Sequence, residues 1–500
     1  MNPTPLIRPY FMRRIREIAP WLDDVEGTQR RQLAWLLARG RQTRYGSEHG
    51  FGGIRCYEDY RDRVAPASYE DLRQRVMAMV GGAADELWPG RCRRFAQSSG
   101  TSDGKSKYIP VTADSLRLNH YRGGADTVAH YLSLYPDSRL FAGKSFILGG
   151  SFATELSAPK GVRIGDLSAN LIEAINPLAN LVRIPSKRLA LTADWRVKLP
   201  ELARVAAKAD VTNISGVPSW FHAVLREMLR LTGAAEVHEV WRNLEVFFHG
   251  GISMEPYRDL YDGIIDHRRM RYLETYNASE GFFAVQDRRD SRAMLLLLDA
   301  GCFYEFLPQN DPTAPPVAAW EVKQGEIYSL IITSCNGLWR YAIGDTVRIE
   351  STRPLRITIA GRTKHFINAF GEEVMVHNTD AALARACARS GARVLNYTAA
   401  PVFTTSRRRG RHQWLIEFAT PPADMAAFEE LLDKALQQEN SDYQAKRTGG
   451  LFLDRLTVTA ASEGLFDRWL ASTGKLGGQR KVPRLSNDRR IIDAMLALNK

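Results

Sequence analysis

Residues 95–110 read Phe-Ala-Gln-Ser-Ser-Gly-Thr-Ser-Asp-Gly-Lys-Ser-Lys-Tyr-Ile-Pro, a run that concentrates groups able to hold a phosphate. Ser98, Ser99, Thr101 and Ser102 offer hydroxyl donors. Gly100 and Gly104 let backbone N–H groups close on an anion, and Lys105 and Lys107 add positive charge. An ordinary solvated turn is the competing reading. A Walker-type loop fails on spacing, because three residues rather than four separate Gly100 from Gly104. The chain then enters Tyr108-Ile109-Pro110, and proline favours an extended residue before it. The sequence contains no HExxH, which removes zinc-protease chemistry of that type. His120 and His130, ten apart, are not spaced as a metal pair.

The elements around this loop follow from hydrophobic pattern. Residues 1–90 alternate helical stretches with turns, with an amphipathic helix over Thr28–Arg39 opening on Thr28 as its cap. Residues 113–135 read as helical. Between 140 and 300, strand-like runs at 145–148, 210–214, 244–248 and 271–276 alternate with helical stretches at 200–209, 217–232 and 255–268. That alternation predicts an α/β architecture with a largely parallel sheet. From about 296 to 361 the pattern becomes β-rich with hairpin spacing, and a new αβ segment follows Gly361. The expected division is therefore 1–357 and 358–500, a large domain and a smaller one, since 500 residues exceed one ordinary core.

Composition is that of a globular protein, 44% apolar and 25% charged. The net charge of +12 is dispersed apart from Arg407–Arg411. With no helix-turn-helix, zinc or RNA-binding signature beside it, this charge suits anionic substrates better than a nucleic acid. Five irregularly spaced cysteines argue against a disulfide framework or a zinc site. No signal-peptide core opens the chain, and the longest apolar stretch, Ala293–Leu298, is too short to span a bilayer. A cytoplasmic monomer without membrane or nucleic-acid partners is the expectation.

The run Ser98-Ser-Gly-Thr-Ser-Asp-Gly-Lys-Ser-Lys-Tyr-Ile-Pro110 resembles the phosphate loop of adenylate-forming enzymes. Its particular form looks like that of the acyl acid amido synthetases that conjugate plant hormones to amino acids, the Gretchen Hagen family, which has bacterial members. Further motifs fall in the family's order. Phe247-Phe-His-Gly-Gly251 resembles its strand and Gly-Gly loop beside the adenine. Tyr276-Asn-Ala-Ser-Glu-Gly281 resembles its aromatic-x-x-Ser-Glu segment. Leu338-Trp-Arg-Tyr-Ala-Ile-Gly-Asp-Thr-Val347 is similar to its Gly-Asp motif, Gly361-Arg-Thr-Lys-His-Phe-Ile367 to its hinge, and Gly478-Gln-Arg-Lys-Val-Pro-Arg484 to its terminal motif. The motifs span residues 95–485. Asn277 stands where the family has glycine, Ala342 where arginine is common, and the chain is shorter than the plant enzymes.

The resemblance implies a large adenylate-forming domain of mixed sheets with flanking helices and a small β-barrel-like part, followed by a mobile α+β domain that rotates between half-reactions. It implies ATP, Mg²⁺, a carboxylic acid and an amine acceptor, with acyl-AMP as intermediate. Glu280 would hold Mg²⁺, since a hard cation takes carboxylate oxygen; a surface acid is the alternative. Gly250, Gly251, Tyr276, Asn277, Ala278, Ser279 and Arg362 join Ser98, Ser99, Thr101 and Ser102 around the nucleotide. Asp345 would accept from the ribose hydroxyls, unless it is merely a hairpin turn. Lys481, with Lys475 as rival, would neutralise charge on the α-phosphate. Tyr121, Arg122, Val217, Trp220 and His249 are the expected acid-binding residues, Arg122 pairing with the carboxylate. An acyl-CoA ligase or acyl-AMP synthetase is the alternative enzyme, and a non-catalytic nucleotide binder the alternative class.

Overall fold

The computed structural model describes residues 2–499 apart from 99–105, 153, 155, 252–253, 255–256, 310, 312–313, 363–365, 406–407, 451 and 473–481. Its centre is a twelve-stranded sheet with two textures. Arg183–Ile184, Lys144–Ile147, Val211–Gly216, Val246–Gly250 and Arg271–Ala278 run parallel. These strands and the helices between them, such as Trp195–Ala206 and Pro218–Thr232, bear out the α/β pattern read from sequence. Arg271–Ala278 then pairs antiparallel with Gly281–Gln286, and the rest of the sheet is antiparallel. The β-rich stretch is thus hydrogen-bonded to the parallel half through one shared strand.

Leu355–Arg362 is the last strand of this sheet, paired with Leu338–Thr352. A division at 358 falls inside it. The helix expected to start at Thr28 starts at Val25, because the Asp24 side chain accepts from the Gly27 N–H at 2.9 Å and caps it earlier. That helix is bolted to the sheet by Gln29, whose Nε2 donates to the carbonyls of Leu298 and Cys302 while its Oε1 accepts from Tyr304 N.

Among the described residues two three-stranded sheets and a two-stranded one, Phe366–Ile367 with Val374–Met375, accompany the large sheet. Arg94–Ser98 pairs antiparallel with Lys107–Pro110, Ser98 facing Lys107 in register, and parallel with Arg163–Gly165. Beyond the large sheet, Arg393–Val402, Arg411–Thr420 and Thr457–Ala460 form a three-stranded sheet covered by helices including Val376–Ser390 and Met425–Glu439. A buried pair, His412 Nε2 and Glu372 Oε1 at 2.9 Å, ties that sheet to the chain entering it. The five cysteines are unpaired. Among the described residues no helix is long and apolar enough to cross a membrane.

Candidate active site

A cleft of about 1190 Å³ runs between the large sheet and the smaller C-terminal layer. The strand Arg271–Ala278 supplies its floor. Ser279 and Glu280 form the two-residue turn to Gly281–Gln286, which aims both side chains at the cleft's end. The turn is held from behind. Asn336 Nδ2 donates to the Glu280 carbonyl at 3.0 Å, and Asn119 accepts from Phe282 N at 2.6 Å while donating to the carbonyls of Phe282 and Ala300. A Cβ on Gly281 would stand 2.6 Å from the Phe283 ring, so glycine is required there. Glu280 is 7% exposed.

Asp345 enters from Leu338–Thr352 directly after Gly344, whose φ of +95° turns the strand. Its backbone pairs with Arg362. The Asp345 carboxylate is buried and its Oδ2 accepts from the Tyr276 hydroxyl at 2.7 Å. Tyr276 packs its ring 5.1 Å from Phe283 and shows the cleft only part of its surface. Ser98 and Lys107 reach the same cleft from the first hairpin. The Lys107 Nζ donates to the Tyr341 hydroxyl at 3.3 Å and lies 5.9 Å from the ring centroids of both Tyr69 and Tyr341.

His249, Gly250 and Gly251 close the cleft beside Thr275 and Asn277. Gly250 is dictated by close approach, since a Cβ there would fall 2.5 Å from the Thr275 carbonyl and 2.7 Å from Asn277 Oδ1. Gly251 takes φ +83°. Burial, and then the charge of Arg258, push the His249 imidazole down to about 3, so the ring is neutral at working pH. From the C-terminal layer Phe366, Asn368, Glu373, Met375 and Asn487 face the cleft.

Ser98, His249, Gly250, Gly251, Tyr276, Asn277, Ala278, Ser279, Glu280 and Asp345 therefore line one space. Other expected residues do not. Arg122 is engaged elsewhere, its guanidinium donating to Asp299 Oδ2 at 2.6 Å beside Arg14. Tyr121 donates to the Leu171 carbonyl at 2.8 Å. Trp220 packs 5.5 Å from Trp195, with the Lys446 ammonium 4.6 Å from its ring centroid. Val217 caps the helix Pro218–Thr232 and only flanks Gly251, its Cγ2 3.6 Å from a Cβ built there. Ser99, Thr101, Ser102, Lys475 and Lys481 lie outside the described residues, as does the Arg362 side chain. Sequence reasoning overlooked Tyr69, Arg258, Tyr272 and Glu274, which carry no turn or motif signal, only ordinary helix and strand context.

Among the described residues no three His, Cys, Asp or Glu side chains gather as a metal cage. A magnesium ion bound through one carboxylate, phosphate oxygens and water needs no such cage, and the buried Glu280 turn fits that sparse donor set.

Family models match three consecutive parts of the chain: the GH3 family N-terminal domain over residues 14–270, the central domain over 295–362 and the C-terminal domain over 377–490. A rice protein named probable indole-3-acetic acid-amido synthetase GH3.1 is 22% identical, covering 91% of this chain and 86% of its own. Indole-3-acetic acid-amido synthetase GH3.3 of Arabidopsis thaliana is 20% identical over 95% of this chain and 91% of its own. In structure, the AtGH3.15 acyl acid amido synthetase in complex with 2,4-DB superposes with TM-score 0.62 at 17% identity, covering 97% of this chain and 95% of that one. A 2-hydroxyisobutyryl-CoA ligase superposes with TM-score 0.57 at 13% identity, over 95% and 91% of the two chains. By these matches, which together take in nearly the whole length, the chain belongs to the GH3 family.

Proposed function

We propose that the protein is an ATP-dependent acid–amine ligase. It adenylates a carboxylic acid and passes the acyl group to an amino acid, giving an amide and AMP. The observation that carries this reading is the convergence of Ser98, Tyr276 with Glu280, and Asp345, from three separated segments, on one cleft. GH3 family membership and relatives named amido synthetases support the amine as acceptor rather than a thiol.

In the first half-reaction a carboxylate oxygen attacks the α-phosphorus of ATP and pyrophosphate leaves. Ser98 and the loop it opens bind the phosphates, and Asp345 accepts from the ribose hydroxyls. Tyr276 holds that carboxylate in place. Gly250 and Gly251 make room for the adenine beside Asn277 and Ala278, and Ser279 donates to a phosphate oxygen. Glu280 would hold Mg²⁺, which when bound withdraws charge from the phosphate oxygens. Lys481, or Lys475 in its place, neutralises the charge that builds on the α-phosphate. The C-terminal part, hinged near Lys364, then turns to admit the amine and excludes water from the adenylate. Positioning and charge stabilisation supply most of the rate, because the adenylate is already a good leaving group.

The test is carboxylate-dependent exchange of labelled pyrophosphate into ATP, run over a panel of aryl and alkyl acids, followed by an acceptor screen of amino acids against coenzyme A. Exchange followed by amide formation supports the reading. Exchange followed only by thioester formation replaces it with a CoA ligase.

A further inference from the structure

One arm of the cleft lies beyond the residues assigned to ATP. It follows the face of Arg271–Ala278 that bears Tyr272 and Glu274, away from Tyr276, since side chains alternate along a strand. His249 sits beside Glu274 in the parallel register. Arg258, from the helix Arg258–Asp262, lays its guanidinium 4.3 Å from the centroid of the Tyr272 ring. Met254 and Met270 supply apolar wall.

This arm is built for a polar guest. The Tyr272 hydroxyl and His249 Nδ1 are both buried and without a hydrogen-bond partner among the described residues, and His249 is only 4% exposed. Buried polar atoms left unpaired are costly, and a ligand that meets them recovers that cost. Tyr135, also lining the cleft, has two cations against its ring, Arg271 at 4.2 Å and Arg289 at 4.4 Å from the centroid, a cationic rim that draws anions inward. Inside, the Arg258 guanidinium lies against Tyr272, and Glu274 follows two residues later on the same strand face, about 6.6 Å further along the strand backbone. A cation and a carboxylate lining one arm offer partners of opposite sign to the two ends of a zwitterion. Neither ATP nor a simple acid needs both signs.

Resting on the ligase reading above, we infer that this arm is the acceptor site and selects α-amino acids as zwitterions. Arg258 and the Tyr272 hydroxyl take the carboxylate, and Glu274 takes the ammonium. An ammonium has no lone pair for attack, so Glu274 first accepts one of its protons. The freed nitrogen pair bonds to the acyl carbon, the bond from that carbon to the phosphate oxygen breaks, and AMP leaves with its electrons. The second nitrogen proton goes to water. The neutral His249 ring is too weak a base for this transfer but can hydrogen-bond the guest.

The experiment compares Arg258→Gln and Glu274→Gln with the parent protein in two assays. Acid-dependent pyrophosphate exchange without acceptor reads the first half-reaction. Amide formation is measured with matched pairs, phenylalanine against phenethylamine and alanine against ethylamine. Arg258→Gln should raise the amino-acid KM at least tenfold and collapse the preference for amino acids over amines, with exchange kept within twofold. Glu274→Gln should lower kcat for amide formation at least tenfold near pH 7, with recovery as pH rises and the free amine accumulates. Equal losses with amine and amino acid, an unchanged amino-acid KM, or a raised KM for ATP or acid in the exchange assay would overturn the assignment. A parent protein that exchanges with no acid refutes the ligase reading itself, a result distinct from any of these.

Discussion

Tyr276 donates its hydroxyl to Oδ2 of Asp345 at 2.7 Å, joining two strands whose residues lie 69 apart in sequence. Each partner is nearly enclosed, Tyr276 at 4% and Asp345 at 6% exposure, so the bond fixes the carboxylate's orientation before any ligand arrives. Tyrosine here is a positioning residue as well as a wall.

That bond makes a graded prediction. Tyr276→Phe removes one donor from a buried carboxylate and should raise the ATP KM about five- to tenfold, about 1–1.4 kcal/mol. Asp345→Ala removes the acceptor for the ribose and should cost more, about 3 kcal/mol or roughly a hundredfold. The ATP KM in pyrophosphate exchange measures both. A normal ATP KM in Asp345→Ala would take that residue out of the ribose role.

Lys481 and Lys475 compete for one task. Lys481→Ala should slow adenylation about 10²- to 10³-fold, the usual effect of removing one preorganised charge from a transition state, with ATP binding nearly intact. Single-turnover formation of acyl-AMP checks it. If Lys475→Ala produces the loss and Lys481→Ala does not, the roles are exchanged.

What the sequence made legible is instructive at the level of single residues. Ser98, Gly250 and Glu280 sit at strand ends or a turn and Asp345 follows the left-handed Gly344 within its strand, places where Gly, Ser and Asp leave a local signature, and they share the cleft. Arg122 and Arg258 show the limit. Both are arginines in helices, and nothing local says that one pairs with Asp299 while the other rests on Tyr272. Likewise the pairing of Arg271–Ala278 with both textures of the sheet is non-local, so hydrophobic pattern delivered a parallel stretch and a hairpin stretch without their junction. The capping error had a local cause, because Asp24 and Thr28 are both good caps and only the fold selects Asp24.

Acid sensitivity follows from buried imidazoles. Burial pushes His120 down to about 4, against an ordinary value of 6.5. As pH falls below 6.5 the unfolded chain protonates this ring while the folded protein does not. Stability is therefore lost between about pH 6.5 and 4, at up to about 1.4 kcal/mol per pH unit. Buried carboxyls pushed upward, Asp166 and Glu305, slope the other way, so the test is differential. Melting temperatures from pH 7 to 4.5 should fall less steeply in His120→Leu than in the parent. Parallel curves would show that His120 does not contribute.

The strand that delivers Asp345 is anchored by an ion pair with almost no water around it, and that anchor can be broken and repaired. Arg340 is 2% exposed; its Nε donates to Glu305 Oε2 at 2.9 Å and its second terminal nitrogen to Oε1 at 2.7 Å. The Tyr57 hydroxyl donates to the same carboxylate at 3.0 Å. Arg340 also donates to the carbonyls of Arg61 and Val64, and its own carbonyl accepts from Ala67 N, which binds the N-terminal helical layer to this strand. Arg340→Leu leaves a carboxylate buried without its cation and should cost about 3–5 kcal/mol, read as a lower urea midpoint with ATP KM disturbed through Asp345. Arg340→Leu with Glu305→Leu removes both charges and should regain much of the loss, since well-packed apolar groups can replace a buried pair. The two single substitutions and the double one form a cycle whose coupling energy isolates the pair. A double variant no more stable than Arg340→Leu would mean that the hydrogen bonds to Arg61 and Val64, rather than the ion pair, hold this strand in place.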